Sequence, residues 1–335
     1  MRAFVMAAGV GSRLEPLTLA VPKPMVPICN IPVMEYNIRL LKKYGIKDIT
    51  ANLHYFPEQI EDYFNSGSDF GVKMNYSFEK ELMGTAGGVK KMAKVSKYSG
   101  DGPVIILSAD VLTDIDLGRL LAYHRKKRSS ATIALIEVDD PSEFGVVVTD
   151  KDGRIRTFQE KPKKEEALSR LVNSGVYILE KNVIDLIPDD TFYDFGKQLF
   201  PLLVENGLPF YAHHSKAYWK DVGNIGNYKS ANFDMLKRSV LAGKGAVISK
   251  KAKISGKVVI GDRCIIEDGA HIKDSIIWSD TVIGANVTIT SNIIGSNCNI
   301  GRDSSIKEGS VIANEVVVKP CSSITDEPIT PGRVI

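Results

Sequence analysis

No apolar run in the 335-residue sequence approaches the roughly 18 residues a membrane-spanning helix requires, so neither a span nor a membrane partner is expected. Cysteine is scarce. Cys29, Cys264, Cys298 and Cys321 lie far apart without paired spacing, which excludes a disulfide frame or a zinc site and predicts reduced thiols of a cytoplasmic protein. The five histidines are scattered; only His213 and His214 adjoin, and neighbours on a strand face opposite ways, poor geometry for sharing a metal. A charge excess is also missing. The 43 basic and 40 acidic side chains leave a net charge of +3, too small and dispersed to announce nucleic acid. The one dense basic run, His124 to Arg128, ends an expected helix, where it suits the negative end of the dipole and reads as a solvated face. Met1 to Ala8 runs straight into a strand and a glycine loop, so no signal peptide is expected.

What the sequence does contain is two different periodicities. Up to about residue 238, apolar runs alternate with amphipathic segments. Strands are expected at Arg2–Ala8, Asp48–His54, Lys73–Phe78, Val104–Leu107 and Ala131–Val138, with helices at Val33–Lys43, Pro57–Asn65, Thr85–Ala93 and Asp116–Lys127. Strands this apolar argue a mainly parallel sheet covered on both faces, an α/β fold. A strand-rich stretch follows, at Val146–Thr149, Ile155–Glu160 and Val176–Glu180, then helices near Phe195–Glu205 and Ile225–Lys237 around a strand near Phe210–Ala217. Ser239–Gly245 reads as a linker.

Beyond it isoleucine occupies 248, 254, 260, 266, 272, 277, 283, 289, 294, 300, 306 and 312, and Val318 and Ile324 continue the series. The step is six residues except at two places where it is five, a period that only a solenoid explains. In a parallel β-helix each short strand points one aliphatic side chain inward, and glycine or asparagine turns the corners. A tightened corner is the simplest reading of the short steps.

The loop Ala7-Ala8-Gly9-Val10-Gly11-Ser12-Arg13-Leu14 follows the first strand, and its glycines let backbone N–H groups approach phosphate. Leu14 stands where a dinucleotide fingerprint has its third glycine, and no G-K-[ST] follows as in a P-loop. The continuation Arg13-Leu14-Glu15-Pro16-Leu17-Thr18 and Pro22-Lys23-Pro24-Met25 adds two cations suited to a triphosphate. Asp110 follows a buried strand at the carboxyl end, where open α/β sheets place ligands. Asp114 and Asp116 are expected to cap the next helix.

The string G-x-G-x-R-L-x-P-L-T…P-K-P resembles the opening of the sugar-nucleotide pyrophosphorylases, and the likeness extends through the solenoid. It is nearest to the branch that joins GTP to mannose 1-phosphate and carries a C-terminal left-handed β-helix. The resemblance implies a Rossmann-like, mainly parallel sheet with flanking helices over 1–238, a linker at 239–245 and a left-handed β-helix of hexapeptide repeats over 246–335. It makes Ala7, Ala8, Gly9, Gly11, Glu79, Gly84 and Thr85 nucleotide-binding, and Arg13, Lys23 and Lys161 catalytic. Gly145, Glu160, Lys161 and Asn173 would hold the sugar phosphate; Asp110 and Asp221 would hold Mg2+. Thr85 would cap the following helix and Gly84 leave room for a base or ribose. Glu79 stands where pyrimidine-specific relatives often have glutamine, and an acceptor-only carboxylate matches the two adjacent donors of guanine; backbone readout, or Glu79 as a surface charge, stays open. Ala109 departs from the glycine common just before the metal aspartate.

The implied reaction is attack of a sugar 1-phosphate on the α-phosphorus of GTP with release of pyrophosphate. Three alternatives stand: UTP- or dTTP-dependent transfer to glucose 1-phosphate, a hexapeptide acyltransferase, and a non-catalytic sugar-nucleotide-binding subunit. His271 is the solenoid's only candidate for an acyltransferase base. Stackable solenoid faces point to a homo-oligomer through the β-helix.

Overall fold

The computed structural model describes residues 1–335. The chain forms two compact units, one of Met1–Gly9 and Met34–Asp221, the other of Val10–Val33 and Val222–Ile335.

In the first unit the chain runs β1 (Arg2–Met6), α1 (Val33–Lys43), β2 (Asp48–Leu53), α2 (Pro57–Phe64), β3 (Lys73–Phe78), α3 (Gly84–Val95), β4 (Val104–Ser108), β5 (Val111–Thr113), α4 (Leu117–Lys127), β6 (Ala131–Glu137), β7 (Gly145–Thr149), β8 (Ile155–Glu160), β9 (Leu171–Leu179), α5 (Lys181–Asp185), α6 (Phe200–Glu205), β10 (Phe210–His214) and β11 (Trp219–Asp221). A nine-stranded sheet has the order β8-β7-β9-β4-β1-β2-β3, with β6 on β9 and β10 on β6. Strands β4, β1, β2 and β3 are parallel, whereas β9 is antiparallel to β4, β6 and β7. Ala3, Phe4 and Val5 of β1 and Val104 to Leu107 of β4 are all buried, which is why these strands read as unbroken apolar runs.

Four local departures have identifiable causes. Strand β9 begins five residues earlier than expected, because Asn173-Ser174-Gly175 is absorbed in a register shift against β6 between Asn173 and Tyr177. The helix at Phe195 opens as a π-helical turn, Phe195–Leu199, whose first N–H groups are capped by the Asp194 carboxylate. Asp116 caps α4 by accepting the Arg119 N–H at 2.9 Å, but Asp114 instead accepts the Tyr218 N–H at 2.8 Å. The basic run is not wholly a solvated face: His124 is buried, bonded through Nδ1 to Thr132 and facing Glu180 through Nε2, while Arg125, Lys126 and Arg128 are exposed.

The second unit contains α7 (Ile225–Met235), capped by Asn224, and three stacked parallel sheets of six, five and five strands, the arrangement expected of a left-handed β-helix. Ile272, Ile289 and Ile306 form one internal stack, Ile277, Ile294 and Ile312 a second, and Ile266, Ile283 and Ile300 a third, all buried. Within the segment expected as a linker, Val240–Ala242 is already a strand, paired with Val258–Ile260. The five-residue steps Ile272–Ile277 and Ile289–Ile294 share one edge of the prism, and Ile324–Ile329 repeats them there. At that edge Asp274-Ser275 and Ser291-Asn292 make two-residue corners with φ of 48° at Asp274 and 64° at Ser291; between Ile306 and Ile312, Gly309 restores the longer corner. Buried Ser275 receives the Asn292 N–H at 3.1 Å and so links successive tight corners.

The short hairpin Pro27–Ile28/Ile31–Pro32 belongs to this second unit. The Cys29 N–H donates to Asn232 Oδ1 at 2.8 Å and Asn30 Nδ2 to the Ile260 carbonyl at 2.8 Å. The Tyr228 hydroxyl donates to the Pro27 carbonyl at 2.9 Å and accepts from Trp278 Nε1 at 2.7 Å. All four cysteines are free thiols, and no helix is long and apolar enough to cross a membrane.

Candidate active site

The glycine loop is divided between the units, Ala7, Ala8 and Gly9 falling in the first, Gly11, Arg13 and Lys23 in the second. Gly9 is exposed just beyond β1, while Ala7 and Ala8 are buried. Gly11 has φ 78°, and a Cβ there would lie 2.8 Å from the Lys23 Cβ and 3.2 Å from Thr18 Cγ2, so backbone and packing both demand glycine. The Thr18 hydroxyl donates to the Gly11 carbonyl at 2.9 Å. Pro22 and Pro24 flank Lys23 at the start of a 3-10 turn, and the Lys23 side chain is buried while Arg13 is exposed.

Around the expected base loop the structure corrects two readings, of Thr85 and of Glu79. Thr85 is not an N-cap: α3 starts at Gly84, and the Thr85 hydroxyl donates to Asp194 Oδ2 and accepts the Phe195 N–H, both at 2.9 Å. The first-turn N–H groups of Ala86 and Gly87 are spent on the Tyr193 carbonyl at 2.9 Å, so this helix start offers them to no anion. Gly84, at φ 73°, is required as glycine by its neighbour alone, since a Cβ would sit 2.6 Å from that same carbonyl. Glu79 is neither a surface charge nor a presented acceptor. It is 1% exposed, Oε1 accepts Asn52 Nδ2 at 2.7 Å, and Oε2 accepts the Met83 N–H at 3.0 Å.

One of the two candidate metal carboxylates falls in a small ladder and the other just outside it. Strand β11 pairs antiparallel with β5, with Asp221 opposite Val111, the residue that follows Asp110 in the turn leaving β4. The Ser108 hydroxyl donates to Asp110 Oδ1 at 2.5 Å. Asn37, buried in α1, donates to the Ser108 carbonyl at 3.3 Å and the Ala109 carbonyl at 3.2 Å, which fixes the turn before Asp110. Both aspartates are half-buried. Carboxylates are the donors a hard divalent cation takes, with its remaining ligands from water and phosphate.

The sugar-side residues lie in the same unit. The Glu160 carboxyl is half-buried and makes no hydrogen bond; burial, and secondarily Asp194, push its pKa up, against the pull of Lys161 and Lys197. A Cβ at Gly196 would overlap Glu160, and one at Gly145 would overlap the Phe158 ring and lie 3.2 Å from Glu160 Oε2. Phe158 therefore occupies the place a side chain at residue 145 would need. Lys161, with φ 48°, is exposed, and its ammonium makes no ion pair. Asn173 closes an Asx turn, its Oδ1 accepting the Gly175 N–H at 2.9 Å and its Nδ2 donating to the Tyr177 hydroxyl at 2.9 Å; one amide hydrogen remains for a ligand.

Several neighbours were missed from sequence. Trp219 packs edge-on to Phe144 at 5.2 Å between centroids and donates from Nε1 to the Ser174 carbonyl at 2.8 Å, which steadies β11 beside Asp221. Asn37, Asn52 and Asp194 work through partners distant in sequence, and no spacing rule finds such residues.

A family model described as nucleotidyl transferase matches residues 2–238, and a second, described as GMPPB C-terminal domain, matches 236–335. The UTP–glucose-1-phosphate uridylyltransferase of Synechocystis sp. is 43% identical over 72% of this chain and 64% of its own length. The mannose-1-phosphate guanylyltransferase of Mycobacterium tuberculosis is 34% identical over 70% of this chain and 64% of its own. The mannose-1-phosphate guanyltransferase of Debaryomyces hansenii is 37% identical over 69% and 63% respectively. The chain thus matches under two thirds of these relatives' length. Among solved structures, HddC from Yersinia pseudotuberculosis complexed with GMP-PN aligns at TM-score 0.60 and 26% identity, covering 70% of this chain and 99% of that one. A glucose-1-phosphate thymidylyltransferase from Bacillus anthracis, at TM-score 0.63 and 23% identity over 69% and 94%, shares the fold. With its N-terminal signature, its sheet and its C-terminal repeat all accounted for, the chain belongs to the nucleotidyl transferase family, among the sugar-nucleotide pyrophosphorylases.

Proposed function

We propose that the protein transfers a nucleoside monophosphate from GTP to mannose 1-phosphate, with release of pyrophosphate. The observation that supports the transferase reading is the pairing of β5 with β11, which puts Asp221 opposite Val111, the residue after Asp110, just beyond the carboxyl end of β4. We assign the transfer chemistry to residues 1–238 and a β-helical support, and a surface for a homo-oligomer, to 246–335.

An oxygen of the sugar phosphate forms a bond to the α-phosphorus as the bond from that phosphorus to the departing pyrophosphate breaks. The nucleophile is already an anion, so no general base is needed, and what the side chains supply is positioning and charge. Lys161, exposed and without an ion pair, takes the charge of the incoming sugar phosphate. Arg13 and Lys23 take charge on the triphosphate. Glu160 and the remaining amide hydrogen of Asn173 meet sugar hydroxyls. Asp110 and Asp221 hold Mg2+, which when bound supplies charge neutralisation on the phosphates.

GTP and mannose 1-phosphate are favoured by the match of 236–335 to the GMPPB C-terminal domain and by the guanylyltransferase relatives. The uridylyltransferase relative at 43% identity favours a second reading, UTP with glucose 1-phosphate. Crossing GTP, UTP, dTTP and ATP with mannose and glucose 1-phosphates, scored by pyrophosphate release, separates them. Highest kcat/KM for GTP with mannose 1-phosphate supports the first reading, for UTP with glucose 1-phosphate the second. Silence in every pairing overturns both.

A further inference from the structure

Asn52 lies near the end of β2, buried, and its amide bridges two segments that meet nowhere in sequence. Its Oδ1 accepts the N–H of Ala7, the first residue past β1 and the start of the glycine loop, at 2.7 Å. Its Nδ2 donates to Glu79 Oε1 at 2.7 Å, and Glu79 Oε2 accepts the N–H of Met83 at 3.0 Å. The main chain closes the same circuit: the Glu79 N–H donates to the Leu53 carbonyl at 2.7 Å, and His54 Nδ1 lies 2.9 Å from the Glu79 carbonyl, so that nitrogen carries the hydrogen. Helix α3 leaves room for this only because residue 88 is glycine. A Cβ there would come within 2.6 Å of both Asn52 Nδ2 and Glu79 Oε1.

The direction of every bond in the chain is forced. A peptide N–H at Ala7 must meet the amide oxygen, so the amide nitrogen must face Glu79, and Glu79 must present an acceptor there and another to Met83. Buried polar groups that satisfy one another in this way admit one arrangement only. Taking the reading above, in which Ala7–Gly9 meet phosphate and the loop from Glu79 to Thr85 meets the base, the relay fixes the spacing between the two.

We infer that Asn52 is a positioning residue for nucleoside triphosphate binding, and that Glu79 acts with it as a brace of the base loop rather than as the group that reads the base. Base selection then falls to groups other than the Glu79 carboxylate.

The test is a swap of donor and acceptor. Asn52→Asp sets two carboxyl groups face to face, and Glu79→Gln sets two donors face to face at one end of its amide or the other. The double variant restores every bond. The carboxylate introduced at position 52 accepts from the Ala7 N–H and from the amide introduced at position 79, and the oxygen of that amide accepts from the Met83 N–H. Equilibrium binding of Mg-GTP and Mg-UTP, with KM values for both substrates, is measured for wild type, both singles and the double. Each single is expected to weaken nucleotide binding by roughly tenfold to a hundredfold, leaving the sugar 1-phosphate KM within about threefold. The GTP-to-UTP ratio should stay unchanged throughout, and the double variant should recover nucleotide affinity. A changed base ratio in Glu79→Gln that persists in the double overturns the inference, as does a double variant no better than the singles. Should a single fail to fold, the double is read against wild type alone, with near-native affinity supporting the swap and weak affinity overturning it. A wild-type protein that binds no nucleotide strikes at the proposed function instead.

Discussion

Asp221 stands opposite Val111, the residue that follows Asp110, because the strand Trp219–Asp221 pairs antiparallel with Val111–Thr113. The ladder is held from both sides, by Asn37 on the carbonyls of residues 108 and 109 and by Trp219 on Ser174.

If the pair holds a catalytic cation, Asp110→Asn and Asp221→Asn should each cut turnover by roughly a hundredfold to ten-thousandfold with little change in melting temperature. The double variant should be hardly worse than either single, since both remove one ion. Chelation should stop turnover and added Mg2+ restore it. Full activity in chelator would assign the pair another role.

Lys161 offers a cleaner dissection, being exposed and without an ion pair. Lys161→Gln should alter stability by no more than about 0.5 kcal/mol, measured by urea unfolding, while lowering kcat/KM for the sugar 1-phosphate by roughly a hundredfold or more. A loss confined to the nucleotide KM would move Lys161 to the other substrate.

The Glu160 carboxyl, held above its ordinary pKa chiefly by burial, opposes folding once ionised. The folded protein holds this proton more tightly than the unfolded chain does. Its contribution to stability is therefore full below the ordinary carboxylate range and is lost as pH rises through the raised pKa. Glu160→Gln removes that decline, so the variant should gain melting temperature relative to wild type on going from pH 4 to pH 7, while its sugar 1-phosphate KM rises. An equal difference at the two pH values would contradict the assignment.

Both periodicities were legible in the sequence because each repeats one physical demand many times: burial of strands on two faces, and one inward aliphatic per solenoid strand. The shortened steps were visible but not their sameness, since only the register shows that Asp274-Ser275 and Ser291-Asn292 turn the same edge. Glu79, Gly84 and Thr85 are visible as a motif, but what they touch is not. Their partners Asn52, Tyr193 and Asp194 lie far away in sequence, and a motif records that a residue type is needed without saying what it touches. The segment Val10–Val33, which carries Arg13 and Lys23, groups with the solenoid for the same reason, through Asn232 and Ile260.

That attachment has a measurable consequence. Tyr228→Phe strips a partner from both the Trp278 indole N–H and the Pro27 carbonyl and should cost about 1–3 kcal/mol in urea unfolding. Because Arg13 and Lys23 ride on the same segment, the nucleotide KM should rise as well. A silent substitution would show that the solenoid leaves the loop unsupported.

The most direct measurement follows phosphorus by NMR in a mixture of GTP, mannose 1-phosphate, Mg2+ and the protein. Pyrophosphate and a diphosphate-linked sugar nucleotide should appear in equal amounts, and neither should form with Lys161→Gln. Free phosphate from hydrolysis alone, or an unchanged spectrum with this and every other nucleotide–sugar pair, would contradict nucleotidyl transfer.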